Sequence, residues 1–557
     1  MIDPMKIQFK HEIKPEDKID ADSIIGLILK SRKIENINDF LNPPSPLNIS
    51  IFDFEKKYND RFKTVVKILK EIKDKNQMIV VYTDYDADGI TGGAILWETL
   101  NLLGFKAMPY VPDRKTEGYG FSKKGIDNII KQFDPTLIIS VDHGITKVKE
   151  IAYATSKGIK VIVTDHHLKG EKIPDKAEAV FHIPALSGSG VSYFFSKEIF
   201  NSFKDKAQNK STLDHNFSYD YLALATIGTV ADLVPIIGPS RSVVKYGLKA
   251  FTKVKRHGII QILKQAGIED KPITPYEIGF MIAPRINAIG RLGHAIDALR
   301  LLCTKSETKA HQLAQMVGSV NVERQVLVEK SVKEALELVP KKLKKIIILP
   351  SDSWNEGIIG LIASKLVEKF YRPVIIMTRN DGFYKGSARS ITNFHMTDFL
   401  KSLKEHLVDV GGHAAAAGFT IESGKLKNFI KEAEVKAGSQ IQDKDLERTV
   451  IADIKIPVSK VNLKLVESLE KLEPFGIGNP RPLFVSRGNI TGASLFGKTS
   501  THLKIFVDGL ELIAFGKSEL FKKLSRGEEI ELVYNLEIDR WGGRNRLRGK
   551  FISSSYS

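Results

Sequence analysis

The chain has 557 residues and a net charge of +17, and its 42% hydrophobic content is typical of a globular protein of three or four domains. The single cysteine, Cys303, excludes a disulfide framework and a thiolate metal cluster, and the basic balance favours a polyanionic partner. No stretch has a signal-peptide core or approaches the roughly 20 apolar residues that span a bilayer, so we expect a cytoplasmic protein with no membrane contact.

The N-terminal region predicts an arm followed by a helix. Residues Ser23–Lys33 have helical periodicity, and three prolines then interrupt the chain between Phe40 and Pro46. An amphipathic helix is predicted over Tyr58–Lys75. We therefore assign residues 1–75 to an N-terminal arm and a lead-in helix.

The segment Met78–Gly93 carries a strong functional signal. Its first residues, Met78–Thr83, are mostly apolar or β-branched and predict a buried strand. Three carboxylates follow at alternate positions, on one side of an extended segment: Asp84, Asp86 and Asp88. We expect the next glycines to turn the backbone before a helix over Ala94–Leu103. Carboxylates this close repel one another unless a cation lies among them; the alternative is a solvated acidic turn.

Strand and helix patterns then alternate along the chain. Buried strands are predicted over Thr136–Val141 and Lys160–Thr164, and helices near Lys123–Gln132 and Lys147–Lys157. Such alternation is typical of right-handed βαβ units in a parallel sheet.

Acidic and histidine side chains follow these predicted strands. Asp142 comes directly after the second strand, and Asp165, His166 and His167 come after the third. Asp232 follows a helix predicted over Tyr219–Ile227. Because ligands bind at the carboxyl ends of the strands in open α/β sheets, we expect these side chains to converge.

This set of residue types predicts a metal centre. An isolated histidine is more often a core residue, but two adjacent histidines at a strand end favour ligation. Carboxylates with histidine and no thiolate suit Mn²⁺ or Mg²⁺ better than structural zinc. The ligands suffice for two ions that share a carboxylate, which is the usual apparatus of phosphoester hydrolysis.

Ten motifs in order resemble a known family. Four resemble the motifs of the DHH phosphoesterase superfamily: DYDADG (Asp84–Gly89), VDHGIT (Val141–Thr146), TDHH (Thr164–His167) and GTVADLVP (Gly228–Pro235). Six more are similar to those of the RecJ family of single-strand-specific DNA exonucleases: PDRKTEGYG (Pro112–Gly120), APRINAIGRLGHA (Ala283–Ala295), WNEGIIG (Trp354–Gly360), GSARS (Gly386–Ser390), GGHAAAAGF (Gly411–Phe419) and LEPFGIGNPRPLF (Leu472–Phe484). The resemblance covers nearly the whole chain.

The resemblance and the residue patterns together imply an α/β architecture with an all-β end. We expect a parallel-sheet DHH lobe at 76–250 and a helical connector at 251–340, with a long helix over Gln312–Leu338. A smaller α/β DHHA1 lobe should occupy 341–450, with strands over Lys345–Pro350 and Pro373–Thr378. Short alternating strands at 451–557 predict a barrel, which the resemblance makes an OB-fold.

Site residues follow from the same motifs. Carried onto this sequence, the family's metal ligands are Asp84, Asp86, Asp88, Asp142, His166 and Asp232, with Asp142 as the bridge. We expect catalytic roles for Asp86, Asp142, His166, His167 and His413. We expect substrate contacts from Arg114, Tyr119, Arg285, Asn287, Arg291, Ser387, Arg389, Gly411, Gly412 and His413. The alternatives are ordinary surface arginines at 285 and 291 and a simple turn at 411–413.

The sequence departs from the family at two positions. Tyr82 and Asn355 stand where members often carry histidine, and a tyrosine is a poor ligand at neutral pH. In the predicted barrel, aromatic and basic residues that could stack bases and contact phosphates are interleaved: Phe496, Lys498, Lys504, Phe506, Phe515, Trp541, Arg544 and Arg546.

The resemblance implies a metal-dependent 5′→3′ exonuclease that hydrolyses single-stranded DNA to 5′ mononucleotides in repair and recombination. It also implies a RecQ-type helicase and a single-strand-binding protein as partners, and we expect a monomer. One alternative is a DHH phosphodiesterase of short oligoribonucleotides or cyclic dinucleotides, against which the barrel argues. The other is a non-catalytic single-stranded-DNA-binding scaffold, against which the intact acids and histidines argue.

Overall fold

The computed structural model describes residues 6–114, 116–118, 120–540, 543 and 545–554, and the chain divides into two compact units. The first unit comprises Arg32–Asn321 together with Glu470–Arg481. The second comprises Met1–Ser31, Val322–Leu469 and Pro482–Ser557.

Helices and strands alternate in the first part of the chain. In chain order they are β1 (Lys6–Glu12), α1 (Ala21–Ser31), α2 (Ile37–Leu41), α3 (Tyr58–Asp74), β2 (Ile79–Thr83), α4 (Ala87–Leu102), β3 (Ala107–Tyr110), α5 (Lys123–Phe133), β4 (Leu137–Val141), α6 (Val148–Ser156), β5 (Lys160–Asp165), β6 (Ala179–His182), α7 (Gly188–Phe203), α8 (Lys210–His215), α9 (Tyr221–Ala231), α10 (Gly238–Ala250), α11 (His257–Ala266), α12 (Pro275–Glu277), α13 (Ala283–Leu292), α14 (Ile296–Cys303) and α15 (Glu307–Leu338).

Strands dominate the remainder. In chain order the elements are β7 (Ile347–Ser351), α16 (Ile359–Phe370), β8 (Val374–Asn380), β9 (Phe383–Arg389), α17 (Met396–Lys401), β10 (Leu407–Gly412), β11 (Ala416–Glu422), α18 (Leu426–Gln440), β12 (Thr449–Lys455), α19 (Leu463–Leu469), β13 (Phe484–Phe496), β14 (His502–Val507), β15 (Leu510–Ala514), β16 (Glu529–Asp539) and β17 (Arg546–Ser554).

A parallel five-stranded sheet in the order β3-β2-β4-β5-β6 forms the centre of the first unit. The three central strands are buried on both faces, which is why their sequences are continuous apolar runs rather than alternating ones. Alternate residues point to two different cores: Val81 and Ile139 pack with α4, α7 and α9, whereas Val80 and Ile138 pack with α5 and α6. The predicted parallel sheet is confirmed.

Helix α4 begins earlier than predicted. The sequence placed its start at Ala94, after a glycine turn, but the structure starts the helix at Ala87 because the Asp86 side chain caps it. Three glycines therefore lie inside the helix. A Cβ on Gly89 would lie 2.7 Å from the Asp84 carbonyl oxygen, so this glycine permits a close approach rather than a turn.

The predicted connector is helical and leads into one long helix. Helix α15 belongs to the first unit through Asn321 and to the second unit from Val322. Ala314 and Val317 pack in the core of the first unit, whereas Ala335 packs in a core of the second.

The second unit contains two sheets. Strands β10-β11-β9-β8-β7 form a mixed sheet, in which only β7 and β8 pair in parallel. In the other sheet, β13 pairs with both β14 and β16 and so closes a five-stranded barrel with β15 and β17, which confirms the predicted OB-fold. The N-terminal strand β1, which the sequence placed in an arm, pairs in parallel with β12 beside this barrel.

Among the residues that the structure describes, no helix is both long enough and apolar enough to cross a membrane.

Candidate metal centre and substrate-binding loops

The acidic residues after β2 have different local roles. Asp86 caps α4, and its side chain accepts hydrogen bonds from the backbone N–H groups of Asp88 and Gly89, at 3.0 and 3.1 Å. Asp84 is buried and its Oδ1 atom has no hydrogen-bond partner. The N-cap turn therefore fixes Asp86 and leaves an unsatisfied Asp84 oxygen at the strand end.

Asp88 is held by a helix that the sequence analysis missed. The backbone N–H groups of Gly188 and Ser189, in the first turn of α7, donate to its carboxylate at 2.6 and 2.9 Å. A Cβ on Gly188 would lie 2.4 Å from the Asp142 Cβ, so a larger residue has no room there. The Ser-Gly-Ser-Gly run at 187–190 was the available signal, since serine caps helices and glycine permits close backbone approach.

His166 lies among three of the predicted carboxylate ligands. Its Nε2 atom is 3.1 Å from Asp142 Oδ1, 3.5 Å from Asp232 Oδ2 and 3.9 Å from Asp88 Oδ2. Asp142 directly follows β4 with a left-handed backbone (φ +68°), and Asp232 ends α9 as its C-cap. The structure therefore brings together side chains from three strand and helix ends, as the sequence analysis expected.

His167 is oriented by Asp165, for which the sequence analysis assigned no role. The Asp165 carboxylate is buried and accepts from Ile145 N–H, His166 N–H, His167 N–H and the His167 ring. Burial acts to lower the pKa of His167, but the Asp165 carboxylate, 2.8 Å from Nδ1, raises it to about 9. Two adjacent histidines therefore face different environments.

Three of the predicted ligands carry a buried polar atom that has no hydrogen-bond partner: Asp84 Oδ1, Asp142 Oδ1 and His166 Nε2. A buried donor or acceptor left unsatisfied is costly, so converging atoms of this kind fit a bound cation. Ligand atoms lie within 4.8 Å of one another in three groups: Asp84, Asp86 and Asp142; Asp88, His166 and Asp232; and Asp142, His166 and His167. Asp142 belongs to two of these groups, which suits a shared carboxylate.

The electrostatics also fit a cation. Burial, reinforced by neighbouring carboxylates, raises the pKa values of Asp84, Asp86 and Asp142, and raises that of Asp232 to about 8. Burial lowers the pKa of His166, which keeps its ring neutral and able to donate a lone pair. Oxygen ligands with one imidazole match the donor set that Mn²⁺ and Mg²⁺ prefer.

Helix α13 carries three of the predicted substrate residues. Asn287 Oδ1 accepts from the Ala87 N–H at 2.8 Å and so supports the Asp86 turn. Arg285 donates to the backbone oxygens of Met281 and Gln265. Arg291 is half-buried and lies close enough to Tyr85 to lower its pKa, although burial dominates and raises that pKa to about 12. Substrate contacts from these residues stay predictions.

Arg114 also lies near Tyr85, with its guanidinium carbon 5.2 Å from the centre of the ring. The adjacent Tyr119 lies outside the described residues. Tyr82 has a fully buried side chain that packs on Phe121 and donates to the Gly120 carbonyl at 3.0 Å. It is therefore a core residue and offers no ligand atom.

The remaining predicted site residues lie in the second unit. On β9, Arg389 donates to Ser387 Oγ at 3.1 Å, and burial lowers the pKa of its guanidinium. A Cβ on Gly360, in α16, would lie within 3.0 Å of both side chains, so the helix packs closely against this pair. Asn355 accepts from the Gly357 N–H in the turn before α16.

Gly411 and Gly412 end β10, and His413 follows them in the hairpin turn to β11. The His413 N–H donates to the Ala416 carbonyl at 2.7 Å, and Thr397 Oγ1 donates to the His413 carbonyl. All three residues are exposed. Gly412 has φ +143°, and a Cβ there would lie 2.3 Å from the Ala416 oxygen, so the hairpin requires glycine.

One end of the barrel has an aromatic face, which we define as the half-buried Phe496 and His502 together with the exposed Phe515. Their ring centres lie 5.3 to 6.2 Å apart, and Phe515 is 51% exposed. Phe506 is half-buried, Lys498 and Arg546 are exposed, and Lys504 pairs with Glu511 at 2.8 Å. Trp541 and Arg544 lie outside the described residues.

Three family models match separate parts of the chain. The DHH family N-terminal domain matches residues 78–229, the DHHA1 domain matches 343–438, and the RecJ OB domain matches 452–551.

Two curated relatives carry the name single-stranded-DNA-specific exonuclease RecJ. The protein of Salmonella typhimurium is 31% identical over 87% of this chain and 88% of its own length. The protein of Bacillus subtilis is also 31% identical, over 86% of this chain, which spans only 61% of that longer relative.

Two crystal structures of RecJ from Thermus thermophilus share the fold. The complex with Mn²⁺ aligns with a TM-score of 0.82 and 26% identity, covering 100% of this chain and 80% of that one. The complex with Mg²⁺ aligns with a TM-score of 0.73 and 25% identity, covering 99% and 78%.

Proposed function

Because this chain belongs to the RecJ family of single-stranded-DNA-specific exonucleases, we propose that it hydrolyses single-stranded DNA from the 5′ end and releases 5′ mononucleotides. The cofactor is Mn²⁺ or Mg²⁺, as in the Thermus complexes, and we propose two ions per chain. DNA repair and recombination are the processes that this activity would serve.

The observation that carries the proposal is the convergence of orphaned ligand atoms. Asp84 Oδ1, Asp142 Oδ1 and His166 Nε2 are buried and unsatisfied at the carboxyl edge of the sheet. We propose that Asp84, Asp86, Asp88, Asp142, His166 and Asp232 hold the ions. When bound, such ions activate water, neutralise the scissile phosphate and stabilise the leaving oxygen.

Neighbouring contacts at the edge of the sheet hold the proposed ligands in position. The first turn of α7 fixes Asp88, and the α4 cap fixes Asp86, so the carboxylates are oriented before a cation arrives. Asp165 lies 2.8 Å from His167 Nδ1 and orients that ring, and we propose that His167 donates a hydrogen bond near the leaving oxygen. Preorganised groups of this kind need no rearrangement during reaction.

We propose that the second unit binds the 5′ phosphate. Arg389 offers a rigid fork that suits phosphate oxygens, and Ser387 Oγ orients it. His413 lies exposed in a glycine hairpin whose backbone permits close approach of an anion. In the first unit, we propose that Arg114, Arg285 and Arg291 also contact phosphates of the strand.

Two alternative functions account for less of the structure. A phosphodiesterase of short oligonucleotides needs no extended stacking surface, yet the barrel presents its aromatic face to solvent. A non-catalytic scaffold has no need of three orphaned ligand atoms at one edge. The exonuclease therefore accounts for more of the molecule than either alternative.

The test uses a 60-nucleotide single strand labelled at either end. With Mn²⁺ or Mg²⁺, the 5′-labelled strand should release a labelled mononucleotide at the earliest times, while the 3′-labelled strand shortens progressively. EDTA should abolish both results. Release of the 3′ label first would overturn the polarity, activity limited to dinucleotides would support the short-substrate enzyme, and binding without cleavage would support the scaffold.

We also propose that the chain acts as a cytoplasmic monomer together with a RecQ-type helicase and a single-strand-binding protein. Such partners would supply the single strand that this enzyme consumes.

A further inference from the structure

Two aromatic rings of the first unit lie exposed and stacked on each other. Tyr276 is 61% exposed and Phe280 is 69% exposed, the largest values for aromatic side chains in the part of the chain that the structure describes. Their ring centres lie 4.8 Å apart with 29° between the planes. Large apolar rings are normally buried, so a stacked pair left in solvent indicates a binding surface.

The backbone holds this pair in a fixed position. A capping box between Thr274 and Glu277 starts the helical turn, and a π-turn over Ile278–Ile282 continues it into α13. Ile278 and Ile282 are buried in the core of the first unit, which leaves Tyr276 and Phe280 on the outer side. The rings are therefore presented by a packed helix and not by a loose loop.

The same helical segment is tied to the metal centre at two points. The π-turn packs on α9, and a Cβ on Gly279 would lie 4.0 Å from Val230 Cγ1, two residues before Asp232. Asn287 follows Phe280 by seven residues, roughly 10 Å along a helix, and accepts from the Ala87 N–H beside Asp86. The aromatic pair thus lies within a few nucleotides' length of the proposed ions.

The surroundings suit a nucleic-acid strand. Tyr276 forms part of the wall of a cavity of about 670 Å³, in whose lining five basic side chains, among them Lys249 and Lys271, outnumber three glutamates. Both lysines are exposed, and their ammonium groups can neutralise phosphates. Every base has a face that can stack on an aromatic ring, so such a pair anchors a strand without reading its sequence.

We propose that Tyr276 and Phe280 form a stacking shelf for unpaired bases of the strand whose 5′ end is at the metal centre. This inference rests on the proposed function and deepens it by naming a site that selects for single strands. Paired bases keep their faces within the duplex and cannot use the shelf. The shelf positions substrate and contributes nothing to the chemical step.

Steady-state kinetics of full-length variants test the inference. Phe280→Ala should raise KM for a 5′-phosphorylated single strand about tenfold and leave kcat unchanged, since base stacking on one ring is worth about 1–3 kcal/mol. Phe280→Trp should restore KM, because the larger ring still stacks. Phe383→Ala removes a 40% exposed ring in the second unit and serves as the matched control with unchanged KM.

A second readout does not depend on cleavage. A set of single strands is used, each with 2-aminopurine at a different position. When these strands bind the full-length Asp142→Ala protein, fluorescence should be strongly quenched for labels at one or two positions near the 5′ end. Adding Phe280→Ala should remove that quenching, and adding Phe383→Ala should not. Circular dichroism checks that each variant is folded.

Two results would overturn the shelf while leaving the proposed function intact. One is an unchanged KM and unchanged quenching in Phe280→Ala, when the parent enzyme degrades single strands from the 5′ end. The other is a change of oligomeric state in Phe280→Ala by light scattering, which would show that a second copy covers the rings. Failure of the parent enzyme to degrade single strands would instead refute the proposed function.

Discussion

At the acidic edge of the parallel sheet, Asp84, Asp88 and Asp142 are at most 2% exposed, whereas Phe515 on the aromatic face of the barrel is 51% exposed. Both regions are proposed to bind the same polymer. Burial and repulsion from neighbouring carboxylates raise the pKa values of Asp84 and Asp142, so a cation at this edge would stabilise their charged forms, which suits chemistry. An exposed ring can stack on a base, which increases binding affinity and leaves the chemical step unchanged. The comparison predicts that variants of the edge change turnover and variants of the barrel change binding.

Asp142→Ala should have the largest effect. Loss of the shared carboxylate should reduce turnover by about 10³-fold or more, given the contribution of metal ions to phosphoester hydrolysis. The metal-free variant should be at least as stable as the parent chain, because removal of one carboxylate relieves repulsion among the others. Turnover at saturating Mn²⁺ and thermal unfolding in EDTA measure the two effects.

Asp134→Ala is the matched control for that variant. Asp134 also has a left-handed backbone, with φ +46°, but it is exposed at the end of α5. It should therefore reproduce any backbone strain of the substitution without loss of activity. Near-normal turnover in Asp142→Ala would remove Asp142 from the centre.

Arg389→Ala should have an intermediate effect that depends on the substrate. A charged hydrogen bond is worth about 1.5–3 kcal/mol, so kcat/KM should fall about 10- to 100-fold on 5′-phosphorylated strands. Strands with a 5′ hydroxyl should lose much less, because they lack the phosphate that we propose the guanidinium binds. The ratio of kcat/KM for the two substrates is the measurement.

Arg379→Ala provides the control, since Arg379 lies on β8 of the same unit and faces Asp352 at 3.7 Å. It should leave the substrate ratio unchanged. An equal loss on both substrates in Arg389→Ala would assign that residue another role.

Phe515→Ala should have the smallest effect. Loss of one half-exposed ring should weaken binding of a long single strand about fivefold, at the low end of the range for base stacking, with kcat unchanged. The salt dependence of binding should not change, because no charge is removed. Fluorescence anisotropy at several salt concentrations checks both statements, and Phe521→Ala, 38% exposed outside the aromatic face, is the control.

Deletion of the barrel would be harder to interpret than Phe515→Ala. The segment Glu470–Arg481, which precedes β13, belongs to the first unit, where the carbonyls of Leu472, Glu473 and Pro474 accept from the buried Arg241. A chain cut before this segment would remove those three carbonyls and leave the Arg241 guanidinium with its hydrogen bond to the Phe40 carbonyl, which is destabilising. Loss of activity after such a cut would not distinguish affinity from folding.

The sequence was most informative where local pattern decides the structure. Apolar runs predicted β2, β4 and β5, and the residues directly after them predicted which side chains share an edge. The start of α4 was wrong because three glycines resemble a turn, whereas the Asp86 cap decides where the helix begins. Helix propensity is a weak guide when a cap and tertiary packing oppose it.

Contacts between distant segments could not be predicted. The first turn of α7 supports Asp88, and the bonded residues are 100 positions apart. Asn287 supports the turn at Asp86, and there the bonded residues are 200 positions apart. The pairing of β1 with β12 joins Lys6 to Thr449 and so spans most of the chain. Such contacts depend on the whole fold, so no window of sequence contains them.

Electron paramagnetic resonance during titration with Mn²⁺ tests the central claim most directly, because it both counts the ions and reports whether they share a ligand. The parent chain should bind two ions and show the signal of a magnetically coupled pair, and Asp142→Ala should lose the coupling while Asp134→Ala retains it. A single uncoupled ion in the parent chain, or coupling that survives in Asp142→Ala, would contradict the assignment of Asp142 as the residue that joins two ions at this edge.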